Sequence, residues 1–188
     1  MRKINISNNN QGFTLIELLI VIAIVAILAT VGFVALNPTF LTSRANDTKR
    51  LAELKNVTDS IARDVAQGNI TLGPVTVSDA DETNRVVDGT GWVKFTVVGG
   101  SALNFKLGGM NILPVDPKTG TTASFTPVGS TEQVTKALKY RFCSTANGGY
   151  EINAVLENDV QAMAKDGGND ATLYEVGTDL NACGTQAW

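Results

Sequence analysis

The most constraining feature of this sequence is a long apolar segment near its amino end. From Leu18 to Ser43 no side chain carries a charge. At about 1.5 Å per residue, a helix over this stretch is roughly 39 Å long, whereas the hydrocarbon core of a bilayer is about 30 Å thick. We therefore expect this part of the chain to enter a membrane.

Glu17, at the start of the apolar segment, helps to decide which class of membrane segment this is. A secretory signal peptide has a short apolar core followed by small residues at a cleavage site, and only Thr30–Gly32 resembles such a site. A plain single-pass anchor would hold an ionisable side chain close to hydrocarbon, which is energetically costly. Neither class explains the glutamate. The alternative in which Glu17 has no function is that its side chain simply lies in the headgroup layer.

The sequence Gly12-Phe13-Thr14-Leu15-Ile16-Glu17 resembles the processing signature of the type IV pilin and type II secretion pseudopilin superfamily. The resemblance implies that a prepilin peptidase cuts between Gly12 and Phe13 on the cytoplasmic side and methylates the new amino terminus. Because that cut leaves the apolar helix on the mature protein, the helix can serve in assembly. Glu17 would then lie in a low-dielectric helix bundle and need a counter-charge, for which the amine of Phe13 on a neighbouring subunit is the candidate.

The resemblance and the hydrophobic pattern together imply three parts. Residues 1–12 would be a cleaved leader, 13–42 a transmembrane and polymerisation helix, and 43–188 an extracytoplasmic globular domain. Gly32 and Pro38 predict a helix kink, because glycine lowers helix propensity and proline removes a backbone donor. An apolar stripe with spacings of three and four predicts an amphipathic helix at about 43–67.

Strands and loops are expected from residue 70 to 188. Alternating patterns predict strands at 92–98 and 103–107, and the clearest hairpin joins 139–143 to 150–156. Polar stretches near 73–90 and 114–132 are predicted to be loops. Tyr150, Ile152, Ala154 and Leu156 share one face, which should cover the amphipathic helix. This α+β arrangement, a long amino-terminal helix on an antiparallel sheet, is similar to the pilin fold.

Two further features concern cysteines and acidic residues. Cys143 and Cys183 are the only cysteines, and an even count in an exported domain favours a disulfide over two buried thiols. Asp166, Asn169 and Asp170 gather oxygen ligands in a glycine-rich loop and are a candidate Ca²⁺ site. The alternative is a solvated acidic loop, and no other cofactor is expected.

Composition excludes several functions. The sequence has no histidine, which removes the commonest general base and zinc ligand. No phosphate-binding loop or activated nucleophile is evident, so an enzyme is not expected. The formal net charge is −3 and no basic run appears, so no direct nucleic-acid partner is expected.

The sequence as a whole predicts a prepilin that is inserted in the cytoplasmic membrane with its amino end inside. After processing, it would polymerise with other copies into a pilus-like surface filament. Its other partners would be prepilin peptidase, membrane lipid and the inner-membrane assembly machinery. Two alternatives stay open: a pseudopilin of a type II secretion or DNA-uptake machine, and a monomeric membrane-anchored binding domain.

Overall fold

A computed structural model describes residues 12–100, 105–184 and 188 of the chain. The chain divides into two compact units, Met1–Leu41 and Thr42–Trp188. There are three α-helices in the described parts: α1 (Leu15–Leu36), α2 (Pro38–Ala66) and α3 (Val160–Lys165). The predicted amphipathic helix corresponds to the later part of α2.

Eight strands are found in the described residues. In chain order they are β1 (Ile70–Thr71), β2 (Val75–Asp79), β3 (Thr96–Val97), β4 (Thr122–Phe125), β5 (Val134–Ala137), β6 (Tyr140–Ser144), β7 (Tyr150–Ala154) and β8 (Tyr174–Gly177). An antiparallel sheet in the order β2-β6-β7-β8 is the largest, and β1-β3 and β4-β5 form two-stranded ladders. The pattern confirms the predicted α+β class and the 139–156 hairpin, which pairs Phe142 with Ile152.

The main core joins α2 to one face of this sheet. Leu54, Val57 and Ile61 of α2 are fully buried in one cluster with alternate residues of the hairpin, namely Tyr140, Phe142, Tyr150, Ile152 and Ala154. The Tyr150 hydroxyl also donates to the Thr58 carbonyl at 3.2 Å. The predicted helix-facing side of β7 is therefore confirmed through Ala154. Leu156 lies beyond the strand in a second cluster with Met163 and Leu173.

The strand predicted at 92–98 is wrong. Only Thr96–Val97 is extended and paired, and it pairs with Ile70–Thr71. Trp92 is fully buried in a loop, where its indole nitrogen donates to the Pro114 carbonyl at 2.9 Å. A short apolar run indicates that a segment is buried but does not say whether it is a strand or a loop, and here it is a loop.

The strand predicted at 103–107 is also not observed where the chain is described. Positions 103 and 104 lie outside the described residues, Phe105 and Lys106 are not in a strand, and Leu107–Gly109 forms a 3₁₀ turn. Conversely, the regions predicted to be loops contain β2 and β4. These strands are four and five residues long, and each has only two apolar residues, which is too few to stand out from the polar sequence around them.

Candidate processing and assembly site

The predicted cleavage position lies in exposed backbone just before α1. Phe13 is 89% exposed, and a Cβ added to Gly12 would have no heavy atom within 4 Å. Both residues precede the helix, so the peptide bond between them is not held in helical hydrogen bonding. The geometry leaves this bond accessible to a peptidase.

Thr14 and Glu17 form a capping box at the start of α1. The Thr14 amide and hydroxyl donate to Glu17 Oε2 at 2.9 and 2.8 Å, and the Glu17 amide donates to Thr14 Oγ1 at 3.3 Å. Such a reciprocal pair satisfies two amides that have no partner within the helix. The sequence signal for it, threonine followed three residues later by glutamate, is present but was not part of the sequence prediction. Glu17 therefore has a local role in addition to the predicted assembly role.

The surface of α1 is apolar on all sides. Every side chain from Leu15 to Phe33 is exposed, and Glu17 is the only charged residue among them. In the described parts of the chain, Leu15–Phe33 is the one helix long and apolar enough to cross a membrane. An exposed apolar surface of this size in water would be unstable without a cover.

A comparison with known protein families bears on this segment. The family model for the prokaryotic N-terminal methylation motif matches residues 7–33, which include the exposed Gly12–Phe13 bond, the capping box and most of α1. The chain carries the type IV pilin and pseudopilin signature. The motif supports a precursor of the pilin or pseudopilin type that prepilin peptidase processes, and proteins with this signature are structural subunits. No curated protein and no solved structure matches the chain.

The apolar helix α1 ends at Leu36, and Asn37 lies between it and the start of α2 at Pro38. Asn37 has a φ of 40°, in the left-handed region that asparagine tolerates better than most residues. Its side-chain oxygen accepts hydrogen bonds from the Thr39 hydroxyl at 2.7 Å and the Phe40 amide at 3.4 Å. Pro38 follows at the first helical position, where the missing N–H costs nothing. Gly32, the other predicted kink residue, lies inside α1.

Cys143 on β6 and Cys183 form a disulfide, as the sequence predicted. Their Cα atoms are 5.1 Å apart and 40 residues separate them in sequence. Because Cys143 lies in the central sheet, the bond attaches the carboxyl-terminal segment to the most buried part of the fold.

The candidate calcium residues lie in one loop, and the side chain of each already makes a hydrogen bond or ion pair within the protein. Asp166 accepts hydrogen bonds from the amides of Gly168 and Glu175, and Asp170 pairs with Lys136 at 3.2 Å. The Asn169 amide donates to Asn181. Within the described residues, no three acidic, cysteine or histidine side chains are grouped to hold a metal ion.

Sequence reasoning missed a buried ionic group, which we call the Arg50 cluster (Asp47, Arg50, Asp116, Lys118 and Glu157). Arg50 is fully buried on α2, and its guanidinium donates to both oxygens of Asp116, at 2.7 and 2.9 Å. It also donates to Asp47 at 2.8 Å and Glu157 at 3.0 Å. Lys118 pairs with Glu157 at 2.6 Å.

Charge pairing explains how this buried group stays ionised. Burial disfavours the charged guanidinium, but hydrogen bonds and charges of the three carboxylates outweigh it and raise the pKa of Arg50. Burial likewise raises the pKa of Glu157, but Lys118 and Arg50 outweigh it and leave that pKa below its usual value. The cluster holds α2 against two loops, one around Asp116 and one around Glu157. The sequence Pro114-Val115-Asp116-Pro117 is typical of a loop, but it does not indicate that Asp116 meets Arg50.

Proposed function

We propose that this chain is the structural subunit of a type IV pilus-like surface filament. After prepilin peptidase removes residues 1–12 and methylates Phe13, α1 leaves the membrane and polymerises with the α1 helices of other copies. The Thr42–Trp188 unit then forms the outer part of the fibre on the extracytoplasmic side. Membrane lipid and the inner-membrane assembly machinery are the partners before assembly.

The observation that carries this proposal is the exposed apolar surface of α1. A helix that were the core of its own domain would be covered by that domain, but every residue of Leu15–Phe33 is exposed. Lipid covers such a surface in the membrane, and other apolar helices cover it in a filament. The methylation motif at 7–33 supports the same sequence of events.

The first test is mass spectrometry of the mature protein from its native host. The expected amino terminus is N-methylated Phe13. An intact Met1, or a terminus near Gly32, would contradict the proposal, because the first indicates an uncut anchor and the second a secretory signal peptide. The uncut form would favour the monomeric binding domain.

The second test separates the charge of Glu17 from its capping role. Glu17→Gln keeps a side chain that can complete the capping box but removes the charge, whereas Thr14→Val removes the capping hydroxyl and keeps the charge. We expect Glu17→Gln to abolish filament assembly and Thr14→Val to leave it largely intact. If instead Thr14→Val blocks assembly and Glu17→Gln does not, Glu17 acts as a helix cap.

The third test concerns the kind of fibre. Shearing of intact cells should release this chain as the bulk component of the surface fraction. If the chain is processed but stays with the cell envelope, it acts as a pseudopilin of a secretion or DNA-uptake machine.

A further inference from the structure

The face of the central sheet that lies opposite α2 carries buried polar side chains. Glu151 and Asn153 on β7 and Glu175 on β8 are at most 3% exposed. Asn153 is paired with Glu175 in the antiparallel register, and Glu151 is the diagonal neighbour of Glu175 on the same face. Two carboxyl groups and one amide group are thus close together in a buried place.

Each of these side chains has one buried oxygen without a hydrogen-bond donor in the described parts of the chain. The three atoms are Glu151 Oε1, Asn153 Oδ1 and Glu175 Oε1. Neighbouring carboxylates do not satisfy one another, because an ionised carboxylate only accepts hydrogen bonds. Buried polar atoms of native proteins nearly always have a partner, so three such oxygens on one patch point to a group that binds among them.

The other oxygen of each glutamate is already engaged. Glu151 Oε2 accepts a hydrogen bond from the Cys183 amide at 2.8 Å, and Glu175 Oε2 accepts one from the Asp170 amide at 2.9 Å. Each carboxyl group is therefore held in a fixed orientation and has one oxygen left for a ligand. Neither glutamate can bind an ion through both oxygens without giving up a backbone hydrogen bond.

Negative charges act together on this patch. Burial, the adjacent Glu151 carboxyl group and the charge of Asp166 raise the pKa of Glu175. A bound cation reverses such an effect, because it is the largest charge in its surroundings and favours the ionised form of each carboxyl group. The electrostatics therefore favour a cation over a neutral hydrogen-bond donor.

We propose that Glu151 Oε1, Asn153 Oδ1 and Glu175 Oε1 bind a hard divalent cation of the size of Mg²⁺. Carboxylate and amide oxygens suit hard cations and not the softer metals that prefer nitrogen or sulfur. The ion neutralises the two carboxylates and holds the backbone at Cys183 and Asp170 against the sheet through them. This binding is separate from processing and from the apolar surface of α1.

Coordination geometry selects Mg²⁺ over Ca²⁺. Three oxygens from three different side chains supply half of an octahedral shell. Mg²⁺ usually binds one or two carboxylates and keeps several waters, whereas Ca²⁺ takes about six to eight oxygens and often both oxygens of a carboxylate. The engaged Oε2 atoms leave only single-oxygen binding, which is the mode that Mg²⁺ uses.

A cavity beside the site has room for the remaining ligands. Its volume is about 450 Å³, and its wall includes Asn153, Glu175 and Trp188. One water molecule takes up about 30 Å³ in the liquid, so the cavity can hold the waters that complete an octahedral shell.

The proposed site differs from the loop site predicted from the sequence. In the loop, the side chains of Asp166, Asn169 and Asp170 already make hydrogen bonds or ion pairs within the protein. The oxygens without a donor lie instead on β7 and β8, and the loop contacts them through the amide that Asp170 donates to Glu175.

Isothermal titration calorimetry of the full chain in a non-ionic detergent, after EDTA has removed divalent ions, tests the site with Mg²⁺. Wild type should bind a single Mg²⁺. Glu175→Gln keeps an oxygen for the Asp170 amide but places an NH₂ donor where Oε1 was, so the affinity should fall by at least about tenfold. Asn153→Leu removes the amide oxygen and should have the same effect.

Glu132→Gln and Asn169→Leu are the matched controls, because Glu132 is exposed and Asn169 belongs to the loop site. Both should bind Mg²⁺ as wild type does. Three results would each overturn the proposal: no Mg²⁺ binding by wild type, loss of the ion in Asn169→Leu but not in Asn153→Leu, or binding of Ca²⁺ more than about tenfold tighter than Mg²⁺.

A second measurement uses wild type alone, so it does not depend on the folding of a variant. Mn²⁺ prefers the same oxygen ligands as Mg²⁺, and it broadens the NMR signals of nearby nuclei. Trp188 lines the cavity beside the site, whereas Trp92 is buried in the core that packs on α2. The indole N–H signal of Trp188 should lose intensity at lower Mn²⁺ than that of Trp92, and excess Mg²⁺ should restore it. Equal loss of both signals, or loss of neither, contradicts the site.

Discussion

The Arg50 cluster offers the sharpest test of what holds the Thr42–Trp188 unit together. Asp116→Ala removes both hydrogen bonds that the guanidinium of Arg50 donates to Asp116, at 2.7 and 2.9 Å, in a place where Arg50 is fully buried. A hydrogen bond to a charged group contributes about 1.5–3 kcal/mol, and breaking one side of a buried pair costs about 3–5 kcal/mol. Because Asp47 and Glu157 remain, we expect the low end, about 3 kcal/mol.

Urea unfolding of the full chain in detergent, followed by tryptophan fluorescence, measures this loss. Both tryptophans, Trp92 and Trp188, lie in the Thr42–Trp188 unit, so their signal reports on it. Asp116→Asn keeps the shape and removes the charge, and should fall between wild type and Asp116→Ala.

The control is Asp59→Ala, which breaks an exposed ion pair within α2 whose nitrogen–oxygen distance is similar. Lys55 Nζ lies 2.8 Å from Asp59 Oδ2, with both side chains more than half exposed. An exposed pair of this kind contributes less than about 1 kcal/mol. If Asp116→Ala cost no more than Asp59→Ala, the Arg50 cluster would not be a main support of the fold.

Three other changes are expected to alter stability in the same assay. Cys183→Ser should lower the free energy of unfolding by about 4 kcal/mol, as expected for a loop of 40 residues, and reduction of wild type should have the same effect. Glu157 has a lower pKa in the folded state than in the unfolded state, so its ionised form stabilises the fold above the unfolded-state pKa. This stabilisation is lost as the pH falls through the folded-state pKa. In Glu157→Gln, the free energy of unfolding should therefore depend less on pH below about pH 4.5. Gly177→Ala should lower the free energy of unfolding by about 1–3 kcal/mol, because a Cβ there would lie 2.0 Å from the Tyr150 carbonyl oxygen. Gly73→Ala is the control and should lower it far less, because a Cβ there has no heavy atom within 4 Å.

Local patterns in the sequence predicted the parts of this fold that local interactions determine. The hairpin was predictable because alternating strands flank Asn147–Gly148, a turn sequence whose glycine has a φ of 81°. The sequence predicted a kink at Pro38, whereas α2 begins there as a separate helix, earlier than the amphipathic helix predicted at about 43–67. The buried loop at Trp92 was not predictable, because an apolar run of that length does not distinguish a strand from a loop that supplies core side chains.

The same distinction applies to the functional residues. The processing motif was readable because its residues are consecutive. The Arg50 cluster was not, since Arg50 meets Asp116 and Glu157 across 66 and 107 residues of sequence.

The capping box sharpens the argument for a charged partner of Glu17. The proposed cleavage after Gly12 would leave Thr14 in place, so the cap would persist in the mature chain. A helix cap stabilises a protein by about 1 kcal/mol. Moving an ionised carboxylate from water into a dry helix bundle without a counter-charge costs several kcal/mol of solvation free energy. The cap alone therefore cannot keep Glu17 ionised inside a fibre.

From residue 13 to Ser43 the chain has no lysine or arginine, so the positive charge that α1 of another copy can offer is its processed amino terminus. Processing would thus create the partner that assembly requires.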